Sequence, residues 1–225
     1  MNRLGPLLIV LDGIDNTGKT FTSNLLKDLI LMENSRINVH IKHFPSEELC
    51  NSEIFSDLFK ESSDYIHEKR FIEALLDEER KFIISLHHKD IAIVDRFLIS
   101  SLLYQGTKSK ELENFILNGY SLLKCNMSHY IFMTKMGENL DEVNDARAKF
   151  DEMSDKNYLK LKELLYQIQV TKSINHPLLS DLTVFDFNHI TKFETPSYYM
   201  KTLLTTKMIK TIFNNSMLQE FIKGE

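Results

Sequence analysis

The sequence predicts an α/β fold: a central parallel sheet of about five strands with helices on both faces. Three observations carry this expectation. Short apolar runs alternate with longer amphipathic segments over the whole chain. The first run, Leu7–Leu11, feeds a glycine-bearing loop that opens a helical pattern. No repeat, low-complexity tract or Pro/Gly/Ser linker divides the 225 residues, so a single domain over 1–225 is expected.

Taken in order, Leu7–Asp12 reads as a strand buried on both faces, because it is apolar throughout before its acid. Lys19 to about Met32 is helical, with Phe21, Leu25, Leu26, Leu29 and Ile30 on one side. Asn38–His43 alternates Val39 and Ile41 with polar residues and is stopped at Phe44-Pro45. Helices follow over about Ser52–Lys60 and from about Asp64 to His88. Ile91–Asp95 is a second short buried strand. Phe97–Tyr104 and Lys110–Leu123 read as helices, Ser128–Thr134 and Leu182–Phe187 as strands. A charged stretch, Lys135–Ser154, precedes a helix to about Val170, and a last helix covers about Ser197–Phe213.

Composition excludes several classes. With 43% hydrophobic residues, a chain this long supports one large core without staples. Cys50 and Cys125 are too few for a disulfide scaffold and read as reduced thiols. The eight histidines show no metal-ligand spacing. A formal charge of -5 argues against a nucleic-acid binder. Leu7–Leu11 is far too short for a membrane span and lacks a cleavage site, so a cytoplasmic protein that binds no membrane is expected. Arginine is scarce, six residues against 21 lysines, which limits the candidates for bidentate phosphate binding.

Gly13-Ile-Asp-Asn-Thr-Gly-Lys-Thr20 matches G-x-x-x-x-G-K-[ST] at every fixed position, with a strand before it and a helix behind. Gly13 and Gly18 let the backbone curl so that the N–H groups around Asn16 and Thr17 face phosphate oxygens. The helix N-terminus adds its positive end. Lys19 neutralises the β and γ phosphates, and the Thr20 hydroxyl is suited to ligate Mg²⁺. The implied ligand is ATP or another nucleoside triphosphate with Mg²⁺. Asp15 is out of place in an anion site unless it faces a sugar hydroxyl or a magnesium-bound water. A regulatory GTPase falls behind, because no N-K-x-D motif is present.

Asp95-Arg96 stands at the carboxyl end of a buried strand, where open α/β sheets bind ligands. The run Asp95-Arg-Phe-Leu-Ile-Ser-Ser-Leu-Leu-Tyr-Gln-Gly106 resembles the D-R-[YF]-x-x-S-S-x-x-Y-Q-G segment of thymidylate kinases. The opening Arg3–Asp15 is similar to that family's R-G-x-x-I-x-x-E-G-x-D, with Asp12 where glutamate is usual. His43-Phe44-Pro45 matches its Phe-Pro.

The resemblance implies a P-loop nucleoside-monophosphate-kinase fold and transfer of the γ-phosphoryl of ATP to dTMP. It assigns the acceptor phosphate to Arg96, and the deoxyribose 3′-hydroxyl or a magnesium water to Asp15. Tyr104 lies against the 2′ position, Ser100 and Ser101 near the thymine edge, and Phe44 and Phe71 among the substrate contacts. Arg147 and Lys149 belong to a cationic lid over about 135–154. A homodimer paired through helices is implied as well.

The chain also departs from the family. Ser46-Glu47-Glu48 follows Phe44-Pro45 where an acid and a phosphate-binding arginine are usual. The base-reading arginine falls on Leu75, leaving Arg80 or Arg70 as substitutes only if the helix has changed length. Divergence of this kind is familiar in enzymes of large DNA viruses. Two other readings stay open on the residues: a monophosphate kinase of different or wider base choice, and a kinase-like nucleotide-binding module without turnover.

Overall fold

The structure is a computed structural model that describes residues 6–13, 17–60, 64–123, 125–134, 155–186 and 198–223. Five strands, β1 (Leu7–Gly13), β2 (Val39–His43), β3 (Ile91–Asp95), β4 (Asn126–Thr134) and β5 (Leu182–Asp186), form one sheet in the order β2-β3-β1-β4-β5. All four pairings are parallel. The chain leaves β1 toward one edge and β3 toward the other. A topological switch point therefore lies between these neighbours, and their carboxyl ends flank the crevice.

Strand alternation divides the core. Leu8, Val10, Ala92 and Val94 face one layer, made by α4 (Tyr65–Ser85), α5 (Leu98–Tyr104), α6 (Lys110–Ser121) and α7 (Asp155–Gln169). Leu7, Ile9, Leu11, Ile91 and Ile93 face the other, made by α1 (Lys19–Glu33), α8 (Tyr198–Phe213) and α9 (Ser216–Lys223). A strand covered on both faces must be apolar at every position, which is why β1 and β3 read as unbroken hydrophobic runs. No helix among the described residues is long and apolar enough to cross a membrane.

The expected helix over 52–60 is the shorter α3 (Glu53–Asp57), and an unforeseen α2 (Glu47–Cys50) precedes it, each with its own serine cap. Ser46 Oγ accepts from Leu49 N at 3.3 Å, and Ser52 Oγ from Phe55 N at 3.3 Å. The long helix α4 starts where expected. Asp64 caps it by accepting the Ile66 and His67 amides at 2.9 and 3.2 Å, and His67 Nδ1 receives Asp64 N–H in return. It ends at Ser85, three residues before the expected His88, since Leu86 turns to extended backbone. α9 was not foreseen. It is short, and its amide Leu218 N is capped by Asn215 Oδ1 at 3.1 Å, while Leu218 and Ile222 bury into the second layer.

Gly13 ends β1 with φ 134°, and a Cβ there would stand 2.0 Å from the Met133 carbonyl oxygen on β4. That neighbour is backbone and cannot rotate away. Gly18 has φ 88°, but a Cβ would meet nothing within 4 Å. Gly18→Ala should therefore cost about 1–2 kcal/mol from backbone strain alone, and Gly13→Ala clearly more. Urea unfolding of the two variants checks the order, and equal losses would contradict it.

Candidate functional site

Lys19 opens α1 directly after Gly18, which caps the helix in a left-handed conformation with ψ 19°. The Lys19 side chain is only 5% exposed and Thr17 is buried beside it, whereas Thr20 is exposed in the first helical turn. A buried ammonium at a helix N-terminus builds a concentrated positive field at the end of β1. Asp15 and Asn16, the loop's remaining candidates, lie outside the described residues.

β1 ends in Asp12, which is fully buried and gathers five donors. Oδ1 accepts from Gly13 N at 2.8 Å and from the Ser100 hydroxyl. Oδ2 accepts from Phe97 N at 3.2 Å, Ser100 N at 3.1 Å and the Tyr130 hydroxyl at 2.6 Å. Tyr130 Oη in turn accepts Ile99 N–H at 2.8 Å. The α5 cap position is Phe97, whose side chain has no acceptor, so Asp12 caps this helix from a neighbouring strand. The same contacts fix Arg96 with φ 69°, while its N–H donates to Leu11 O at 3.2 Å. A positive φ in an arginine is held only where surrounding bonds over-determine it.

Arg96 lines a cleft together with His43, Phe44, Phe71, Leu75, Glu79, Ser100, Ser101 and Tyr104, among others. Its guanidinium lies 5.7 Å from the centre of the Tyr104 ring. Asp95 Oδ2 is 3.2 Å from His43 Nδ1. Phe71 packs on Phe55 with centroids 5.7 Å apart, and Phe44 packs edge-on to Phe82. The cleft thus combines the Arg96 cation with apolar and aromatic walls, which suits a flat ring carrying an anion.

The two serines serve different networks. Ser100 donates to Asp12, whereas Ser101 Oγ lies 3.1 Å from Tyr120 Oη. Tyr120 donates to Glu79 Oε1 at 2.7 Å. Burial pushes the Glu79 carboxyl well above the ordinary carboxylate range, and the charges of Asp12 and Glu78 act the same way against the opposing Tyr120 hydrogen bond. Burial also raises the Tyr120 and Tyr130 phenols and the Cys50 thiol on the cleft wall.

The structure therefore brings Phe44, Phe71, Arg96, Ser100, Ser101 and Tyr104 into one cleft, and Gly13, Thr17, Gly18, Lys19 and Thr20 to the adjacent strand end. Arg147, Lys149 and the whole expected lid lie outside the described residues. Leu75 lines the cleft, but Arg70 and Arg80 are exposed and do not, so neither stands in for a base-reading arginine. The acids after Phe44-Pro45 have a local cause. Glu47 and Glu48 point to solvent in the first turn of α2, where negative charge favours the helix end. Lys42 pairs with Glu78 at 3.3 Å, and Glu78 also receives Ser46 N–H at 3.2 Å.

Sequence reasoning gave Asp12 no role beyond its place in the opening motif and passed over Glu79. Each had a signal: a carboxylate closing an apolar strand, and an acid at the i+8 position of the buried stripe Phe71–Leu75–Glu79. Among the described residues no group of three His, Cys, Asp or Glu side chains comes together to hold a metal. A Mg²⁺ ion would rest on Thr20 and on phosphate oxygens, which suits an ion that keeps several waters.

Two variants test these networks. Asp12→Asn puts an N–H₂ against donors on one side of the carboxyl and should lower stability by about 2–4 kcal/mol in urea unfolding; a loss below about 0.5 kcal/mol would contradict the capping role. Glu79 concerns pH. An unfolded glutamate releases its proton near pH ~4.3, and the buried group holds it to higher pH. Its contribution to stability is full below that value and is lost as pH rises toward the folded pKa. Wild type should lose stability relative to Glu79→Gln by up to about 1.4 kcal/mol per pH unit above ~4.3, and parallel pH curves would contradict it.

The model of the family described as thymidylate kinase matches residues 11–174. A thymidylate kinase from Wolbachia sp. subsp. Brugia malayi is 23% identical over 190 residues, 82% of this chain and 91% of that protein. One from Ehrlichia chaffeensis is 36% identical over 103 residues, 44% of this chain, so that this match spans about half (51%) of the relative's length. The crystal structure of the Ehrlichia chaffeensis thymidylate kinase superposes with a TM-score of 0.61 at 21% identity, covering 92% of this chain and 99% of that one. The Candida albicans thymidylate kinase gives a TM-score of 0.60 at 18% identity, with 93% of each chain covered.

Proposed function

From its membership of the thymidylate kinase family, we propose that this chain catalyses ATP-dependent phosphorylation of dTMP to dTDP with a division of labour across two neighbouring strand ends. The observation that supports this division is the register Leu11 to Asp95, which brings the strand end that precedes the Lys19 loop beside the strand end that precedes Arg96. Two anions cannot approach unless their charge is screened, and the two cations answer that need from opposite sides.

Lys19 and the amides of the loop from Gly13 to Thr20, with Asn16 and Thr17, hold the β and γ phosphates of ATP. Arg96 holds the acceptor phosphate in bidentate fashion, and Tyr104 beneath it limits the guanidinium's motion. Phe71 and Phe44 wall the base. Ser100 acts through Asp12 to keep the Arg96 turn in shape, and Ser101 borders the base end of the cleft. An acceptor phosphate oxygen is already nucleophilic, so the residues need only align it in line with the γ phosphorus and exclude water. Mg²⁺, when bound at Thr20, draws charge from the β and γ oxygens. Asp15 contacts the 3′-hydroxyl or a magnesium water. Arg147 and Lys149 in the lid over about 135–154 close on the phosphates. The chain works as a single domain in the cytoplasm, and pairs as the homodimer that the family resemblance implies.

Turnover of dTMP, dUMP, dCMP and dGMP with ATP and Mg²⁺ tests the proposal, with dTMP expected to lead. Lys19→Ala should lower kcat by about 10²–10³-fold. Arg96→Ala should chiefly raise the KM for dTMP by about 10–150-fold, the value of one charge-assisted hydrogen-bonding group. Wild type that binds ATP but makes no dTDP would sink the proposal.

A further inference from the structure

One polar group in the cleft has no part in the reaction described above. Phe71, Leu75 and Glu79 stand four residues apart on α4, so they share the helix face that lines the cleft. Glu79 is 0% exposed. Its Oε1 accepts the Tyr120 hydroxyl, but Oε2 is buried with no hydrogen-bond partner among the described residues. Buried oxygens in folded proteins are nearly always satisfied, and one left open on a cleft wall calls for a ligand. The walls beside it, Phe71, Leu75 and Phe97, carry no polar side-chain group, and Ser101 is already engaged with Tyr120.

Chemistry fixes what Oε2 can offer. Burial favours the neutral acid at this position. A neutral carboxyl has one O–H, and with Oε1 occupied as an acceptor the remaining oxygen of this cleft-lining side chain is the donor. The ligand atom opposite must therefore be an acceptor. With the monophosphate at Arg96 and the sugar against Tyr104, the base enters with its C4 edge leading, because C4 lies across the ring from the sugar-bearing nitrogen. Resting on the dTMP-kinase reading, we infer that Glu79 is a base-reading residue whose Oε2 hydroxyl donates to the 4-oxo group of the pyrimidine. The protein thereby selects 4-oxo over 4-amino bases without a cation at this point. Leu75 supplies no donor, and Glu79 one helical turn further supplies it instead.

Kinetics with dTMP, dUMP and dCMP on wild type, Glu79→Gln and Glu79→Leu test the inference. In Glu79→Gln the amide carbonyl keeps the Tyr120 contact, which leaves the N–H₂ where Oε2 was, still a donor. This variant should keep the kcat/KM ratio of dTMP to dCMP within about threefold of wild type, whereas Glu79→Leu should collapse the ratio by about 10–100-fold, mainly through the KM for dTMP. A second measurement needs no variant. Wild type should bind the 2-pyrimidinone deoxyribonucleoside monophosphate, which lacks the 4-oxo group, at least about tenfold more weakly than dUMP. Equal affinity for those two ligands, an unchanged ratio in Glu79→Leu, or a collapse in Glu79→Gln matching that in Glu79→Leu would each overturn the role of Glu79 while dTMP turnover continues. No turnover of dTMP by wild type would overturn the kinase reading and this inference together.

Discussion

One carboxyl holds the two halves of this site in register. Asp12 ends the strand that delivers the phosphate loop, yet four of its five donors come from elsewhere: two amides and a hydroxyl at the start of α5, and the Tyr130 phenol on β4. Each of those donors is buried, so without the carboxyl each would be stranded at a cost of about 1–3 kcal/mol. The result is a corner that ties the end of β1 to the turn that carries Arg96. A pocket for two anions needs that tie, because the reacting phosphates must meet at a fixed distance. The strained backbone of Arg96 follows from the same anchoring, since α5 is capped from below and its preceding residue must bend to let the cap in.

A second polar cluster lies beside the first and shares its helix. Glu79, Tyr120 and Ser101 sit next to Asp12, Ser100 and Tyr130, with α5 resting on both. Their electrostatics differ. Asp12 has a full shell of donors, whereas Glu79 has one donor and deep burial, and the nearby Asp12 charge further disfavours a second anion. Two acids close together in one core thus acquire opposite characters, one a structural acceptor, the other a donor toward the cleft.

Much of this was legible in the residues. The unbroken apolar runs of β1 and β3 announced a sheet covered on both faces, and the glycines, lysine and threonine after β1 announced a phosphate loop, since each residue type there is demanded by backbone geometry or charge. The Asp95–Gly106 run marked Arg96, Ser100, Ser101 and Tyr104 for one site. The structure adds what the serines do: packing sends adjacent hydroxyls to different buried acids, a matter of tertiary partners that no local pattern encodes. Glu79 stayed hidden because helical periodicity treats a charged residue in an apolar stripe as noise, whereas here it is the stripe's functional member. The acids Glu47 and Glu48, which depart from the family pattern after Phe44-Pro45, sit exposed in the first turn of the short helix that Ser46 caps.

The division of labour between Lys19 and Arg96 turns on where two phosphates lie when both substrates are bound. A crystal structure of the protein with dTMP and a non-hydrolysable ATP analogue with Mg²⁺ measures this. The expected result is the β and γ phosphates cradled over Gly13–Thr20 against Lys19, the acceptor phosphate on Arg96, and Asp12 touching neither ligand while keeping its five donors. A monophosphate seated away from Arg96, or an Asp12 that has left the start of α5 to meet a substrate, would contradict it.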